Sequence, residues 1–112
     1  MIHHIVLYKP KADVTAQQLE MIMMQTRIQL LKISFASNVR CGRKIDKANE
    51  WAFFVAIDFD SKERLAMFHE DAIYIKFVEE IIKPNMASFL VLDYDGDPKR
   101  KKDNPPNQIL SM

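Results

Sequence analysis

The sequence predicts a single α+β domain built on one antiparallel sheet. Three observations predict it. Residues 51–59, WAFFVAIDF, alternate with period 2. Trp51, Phe53, Val55, Ile57 and Phe59 fall on one side of an extended strand; Ala52, Phe54 and Ala56 fall on the other, with Asp58 the only charge. Residues 2–8 repeat this two-sided pattern, with Ile2, His4, Val6 and Tyr8 on one face and His3, Ile5 and Leu7 on the other. Between and after these stretches the apolar period switches between helix and strand in the order β-α-β-β-α-β. Strands apolar on both faces leave water on both faces. One layer of helices covers only one of them, so a second copy of the chain is expected over the other.

Size and composition agree with that picture. A chain of 112 residues makes one domain with a core that needs no disulfides. Its hydrophobic share of 48% and charged share of 28% are those of a soluble globular protein. A net charge of +1 offers no electrostatic case for nucleic acid or an anionic membrane. The single cysteine excludes an internal disulfide framework and fits a reducing cytoplasm. The opening MIHHIVLYKPK has too short an apolar run for a signal segment or a membrane helix. With only two glycines, phosphate-cradling glycine loops are not expected.

The first strand ends at Pro10, which cannot donate to a ladder. Thr15 then caps a helix: Gln18 completes a capping box, and Val14 with Leu19 forms a hydrophobic staple. The helix should run to about Ile33. Leu19, Ile22, Met23, Thr26, Leu30 and Ile33 lie within an arc of roughly 100°, which packs on the sheet. Met21, Met24, Ile28 and Leu31 form a second stripe almost opposite. It is either ordinary surface scatter or a seam for a second helix, the C-terminal tail or a neighbouring subunit.

Residues 35–44 make a weaker strand, with a bend or bulge at Gly42, and a charged hairpin loop leads to residues 51–59. Ser61 caps a short helix reaching about His69, with Glu63 favourable in its first turn. Asp71 caps a further helix to Lys83, stopped by Pro84. Ile73, Tyr74, Phe77, Val78, Ile81 and Ile82 form its apolar side. Residues 88–94, SFLVLDY, are the last strand. Residues 96–112 read as a flexible basic tail, since they hold two adjacent prolines, a charge run and no period. This order is the ferredoxin-like βαββαβ pattern, a four-stranded antiparallel sheet with the first and third strands central. Those are the strands apolar on both faces, and pairing of two such sheets would make a dimeric α+β barrel.

Several stretches carry a family resemblance. HIVLYKPK at residues 4–11 resembles the HIVLFKFK opening of the stress-responsive A/B barrel (Dabb) family. FDSKERLAMF at residues 59–68 is similar to that family's F-x-S-x-E-x-L-x-x-Y junction. HEDAIYIKFVEEIIKP stands where the family has HP-x-H-x-x-F…P, and FLVLDY resembles its closing strand. The resemblance covers about residues 2–95, which makes residues 1–95 the expected domain, and implies a dimeric barrel with a pocket between sheet and helices. Some relatives, such as the plant polyketide cyclase that makes olivetolic acid, are implied to be enzymes. They handle protons with a strand histidine, a helix histidine and a tyrosine. His4 matches the strand histidine. Tyr74 stands at the helix histidine, Phe68 at the tyrosine, and Asp71 at the first histidine of HP-x-H.

His4 is therefore the first candidate for acid–base work, its ordinary pKa lying near neutrality. A hydrogen-bonded structural role is the alternative. Tyr74 is the second candidate; its alternative is core packing with one satisfied hydroxyl. Tyr8, Phe68 and Phe77 are expected to line the pocket. His69 and Asp71 with His3 or His4 have no metal-ligand spacing, so no metal or organic cofactor is expected. Cys41 lacks a base partner. Asp58 and Asp60 read as favourable charges near a helix start. The KRKK cluster at residues 99–102 reads as a solvated tail, with weak anion contact as the lesser option.

The functional expectation is a cytoplasmic, homodimeric, stress-responsive barrel binding a small apolar ligand, without nucleic-acid or membrane partners. One alternative is a cofactor-independent enzyme of cyclase or monooxygenase type. In it His4 would be the acid or base and Tyr74 would donate a hydrogen bond to a developing enolate. The other alternative is a purely structural or regulatory dimer.

Overall fold

A computed structural model describes residues 1–96. The strands are β1 (Ile2–Pro10), β2 (Ser37–Arg43), β3 (Phe53–Phe59) and β4 (Met86–Asp95). They form one antiparallel sheet in the order β2-β3-β1-β4. Helix α1 (Ala16–Leu30) follows β1. Helices α2 (Lys62–Glu70), α3 (Ala72–Phe77) and α4 (Lys83–Asn85) join β3 to β4, with a π turn at Val78–Ile82 between the last two. This is the ferredoxin-like α+β fold, with the two strands apolar on both faces at its centre. The expected basic tail and the KRKK cluster lie outside the described residues.

The local signals act as the residues dictate. The Thr15 side chain accepts from Gln18 N–H at 3.1 Å, and Gln18 Oε1 accepts from Thr15 N–H at 2.8 Å, closing the capping box. Ser61 caps α2, and the Asp71 carboxylate accepts from Ile73 N–H at 2.8 Å to start α3. Helix α1 ends at Leu30; its last apolar residue, Ile33, is buried through a following turn. The helix-side core joins Ile22, Met23 and Leu30 of α1 to Val6, Phe53, Val55, Ile57 and Phe59 of the sheet, with Phe68 and Phe77 above. Thr26 is buried among them, its hydroxyl donating to the Ile22 carbonyl at 2.7 Å. Met21, Met24, Ile28 and Leu31 are exposed on the protomer.

Three expectations need correction. Trp51 precedes β3 and is half-buried, because the hairpin holds its backbone through Asn49 rather than a ladder. Asp58 is not a helix-start charge. It lies on the open sheet face, where Asn38 Nδ2 donates to it at 3.0 Å, His3 Nδ1 lies 2.8 Å away and Arg40 pairs with it at 3.4 Å. The helix begun at Asp71 does not stay α-helical to Lys83. Lys83 N–H bonds back to Val78, five residues earlier, and the chain stays helical through Pro84. A proline inside an α-helix clashes with the carbonyl four residues before it and supplies no donor. The wider π turn relieves that conflict.

The other sheet face is open. Register places Leu7 beside Phe54 and Leu90, and Ile5 beside Ala56 and Leu92. Leu90 and Tyr94 are 41% and 58% exposed there. Gly42 faces Phe54 across β2 and β3; a Cβ at Gly42 would stand 2.8 Å from the Phe54 ring, so only glycine lets the ring lie there.

Candidate functional site

Strand alternation sends His4, Val6 and Tyr8 of β1 toward the helices, and pairing sets Asp93, Val91 and Phe89 of β4 beside them. Helix α2 adds His69, α3 adds Tyr74, and the π turn adds Val78 and Ile82. All of these except Asp93, which sits behind His4, wall a cavity of about 70 Å³. A groove of about 500 Å³ adjoins it, sharing Val78, Ile82 and Phe89 and continuing past Lys83 and Met86 to Ser88.

His4 is 2% exposed. Its Nδ1 lies 2.5 Å from Asp93 Oδ1. The carboxylate accepts, so Nδ1 carries the hydrogen and Nε2 carries a lone pair. Burial lowers the His4 pKa from its ordinary value; the hydrogen bond and charge of Asp93 oppose this, and His69 adds to it. The imidazole is therefore neutral at neutral pH and keeps that lone pair. Its ring meets Phe59, Phe68 and His69 edge-on, with centroids at 6.3, 5.9 and 5.5 Å.

Burial raises the Tyr8 hydroxyl far above its ordinary range, with a further push from Tyr74, and burial raises Tyr74 as well. Both stay protonated and able to donate. Tyr74 is held by Phe68, 4.1 Å away between centroids, and by His69 at 5.7 Å. The Tyr8 ring stacks on Phe53 at 4.8 Å. The arrangement offers a lone pair, two hydroxyls and apolar walls.

Of the residues singled out from sequence, His4, Tyr8 and Tyr74 come together on the cavity. Phe68 and Phe77 lie one layer deeper, on a void of about 10 Å³ that also touches His4, Tyr8 and Tyr74. Asp71 is occupied as a helix cap, and Cys41 is half-buried beside the Arg27 guanidinium, 3.1 Å away. Among the described residues no three His, Cys, Asp or Glu side chains gather as a metal site.

Sequence reasoning missed Asp93, and it weighed His69 only as a metal ligand, not as a neighbour of His4 on the cavity. Asp93 could have been found, since it is the only charge within FLVL-D-Y and alternation puts it on the side of Val91 and Phe89. His69 had no such signal, because its place depends on the turn between α2 and α3.

Sheet order, helix placement and the buried histidine–carboxylate contact define the class: a ferredoxin-like α+β protein with a cavity between β1, β4 and the late helices. The model of the Stress Responsive A/B Barrel Domain family, Dabb, matches residues 2–95, and the chain belongs to that family. A search of curated proteins finds no match.

Among solved structures, a Dabb family protein from Mesorhizobium loti shares 18% identity at TM-score 0.77, over 86% of this chain and 96% of that one. A dimeric ferredoxin-like protein of unknown function from Thermobifida fusca shares 21% at TM-score 0.75, over 85% and 90%. A hydroxynitrile lyase from Passiflora edulis shares 19% at TM-score 0.73, over 87% and 94%. At these identities the likeness is one of fold. No helix among the described residues is long and apolar enough to cross a membrane.

Proposed function

We propose that this protein is a homodimeric barrel that binds one small, largely apolar molecule per protomer. The observation that carries the reading is the cavity itself: apolar walls of Val6, Val78, Ile82 and Val91, with His4, Tyr8, His69 and Tyr74 as its polar groups. A ligand would set its polar end against His4 and Tyr74 and run its apolar part along Val78, Ile82 and Phe89 into the groove. The cavity alone is too small for such a molecule. With the groove it reaches the roughly 300–1,000 Å³ usual for small-molecule sites. Phe68 and Phe77 would support the floor.

The homodimer reading rests on the open face, where Ile5, Leu7, Phe54, Ala56, Leu90 and Leu92 lie side by side. Similar structures from Bacteroides fragilis and Thermobifida fusca are described as dimeric. The single cysteine suits a cytoplasmic setting.

The test is native mass spectrometry of protein purified from cells, followed by a thermal-shift screen of small apolar compounds. Retained or stabilising compounds that lose their effect in Tyr74→Phe or Val78→Trp support the reading. A screen with no binder, in a protein whose Val78→Trp variant is equally stable, removes it.

A second reading is enzymatic, and the His4–Asp93 contact favours it. A neutral histidine oriented by a carboxylate, with its other nitrogen free, suits general base work of the cyclase or monooxygenase type. Tyr74 would donate to the developing oxyanion. Turnover abolished by His4→Ala would establish this reading; turnover unchanged in that variant would end it.

A further inference from the structure

His4 is sealed from solvent at 2% exposure, and its Nδ1 is committed to Asp93. Any proton that its remaining nitrogen takes up must leave through a neighbour. The titratable groups facing it are Asp93 from β4, His69 from α2, Tyr74 from α3 and Tyr8 from its own strand. Asp93 faces the opposite nitrogen. The two phenols stay protonated and make poor acceptors. His69 remains: it is exposed, its ring centroid is 5.5 Å from that of His4, and both rings wall the same cavity.

The local fold of α2 prepares it. His69 Nδ1 lies 3.0 Å from the Leu65 carbonyl oxygen, one turn back. A carbonyl only accepts, so Nδ1 carries the hydrogen there and Nε2 is left with a lone pair. The cavity that both rings wall also carries the Tyr8 and Tyr74 hydroxyls among its apolar walls and, at about 70 Å³, is roomy enough for a bridging water.

We propose that His69 is the proton carrier between the buried His4 and bulk water. His4 Nε2 takes a proton from a bound group; the resulting imidazolium passes it, directly or through one water, to His69 Nε2; His69 releases it to solvent. The charge moves outward by one position at each step, and each ring gives up the proton it gained at the same nitrogen. Nothing is oxidised or reduced. This rests on the reading of the cavity as the working site, but the same route carries the exchange of the His4 proton with water when no ligand is bound.

The experiment is therefore run without ligand. The full chain carries 15N-labelled histidine, with His4 assigned by comparison with His4→Phe. Relaxation dispersion near the midpoint of the His4 titration gives the rate at which that ring gains and loses its proton. His69→Ala is expected to slow this exchange by about tenfold or more, and added free imidazole should restore it by entering the vacated space. His69→Gln, which keeps the bulk, should be slow and should not recover as fully.

An unchanged rate in both variants overturns the proposal, as does a slowing that imidazole cannot relieve, which would mark His69 as structural only. A failed ligand screen would leave these rates untouched, so the two readings fail separately.

Discussion

Removing the Asp93 carboxylate should weaken the fold and change how it responds to acid. In Asp93→Ala the His4 Nδ1 hydrogen loses its acceptor in a site that is 2% exposed. An orphaned buried donor costs about 1–3 kcal/mol. The Asp93 side chain is itself 40% exposed, so water reaches part of the vacated space and the lower half of that range applies. For a domain of this size, about 1–2 kcal/mol lowers Tm by roughly 5–15 °C.

The pH dependence follows from the sign of the His4 shift. Its folded pKa lies below the unfolded value of 6.5, so the unfolded chain binds more protons as acid is added. The stability from neutral His4 is full above about pH 6.5 and is lost as pH falls toward the folded pKa. Asp93 supplies both influences that hold the folded pKa up. Without it the window of loss extends further down. The assay is urea unfolding of wild type, Asp93→Ala and His4→Phe/Asp93→Ala at one protomer concentration, at pH 7 and pH 5. The single variant should lose more between the two pH values than wild type, and the double variant should lose less than the single. Equal midpoints and equal pH responses in wild type and Asp93→Ala would refute the reasoning.

Three further outcomes are expected. Leu7→Glu puts a charge at the centre of the open sheet face, and sedimentation velocity should then report a folded monomer; a persistent dimer would place the interface elsewhere. Phe68→Ala empties a fully buried position beneath His4 and Tyr74 and should cost about 3–5 kcal/mol in denaturant unfolding. Burial would raise the Asp58 pKa, but Asn38, His3 and Arg40 outweigh it and hold it below 3.8. Its stability is present above that value and lost as pH falls through the folded pKa, so Asp58→Asn should flatten the acid limb of the stability curve below about pH 4.

The sheet was legible because β1 and β3 carry apolar side chains on both faces, a pattern that only central strands produce. Thr15, Ser61 and Asp71 announced their helices for an equally local reason: each hydroxyl or carboxylate satisfies donors a few residues away. The π turn was illegible, because apolar spacing at Val78, Ile81 and Ile82 suits either helix and only the clash at Pro84 decides. His4, Tyr8 and Tyr74 could be placed near one another because topology brings the helix side of β1 under α3. Asp93 and His69 could not, because each becomes a neighbour of His4 only through strand register or an interhelical turn.

Strand β4 joins the proposed site to the proposed interface. Its successive side chains alternate between them: Phe89 and Val91 line the cavity and Asp93 meets His4 on the same side, while Leu90, Leu92 and Tyr94 face the open side. Because the period is two, a slip of one residue would send Asp93 to the apolar face and set Leu92 against His4. Both halves oppose that slip: His4 would lose its acceptor, and a carboxylate would enter a sheet-to-sheet contact. Burial of Leu90 and Leu92 by a second copy would thus hold Asp93 in register beneath His4, and the His4–Asp93 contact would hold the apolar row in register for the second copy. Dimerisation and the state of His4 would then be coupled through one strand. In Leu7→Glu, where the partner is lost, the His4 resonance should shift although Leu7 points away from the cavity.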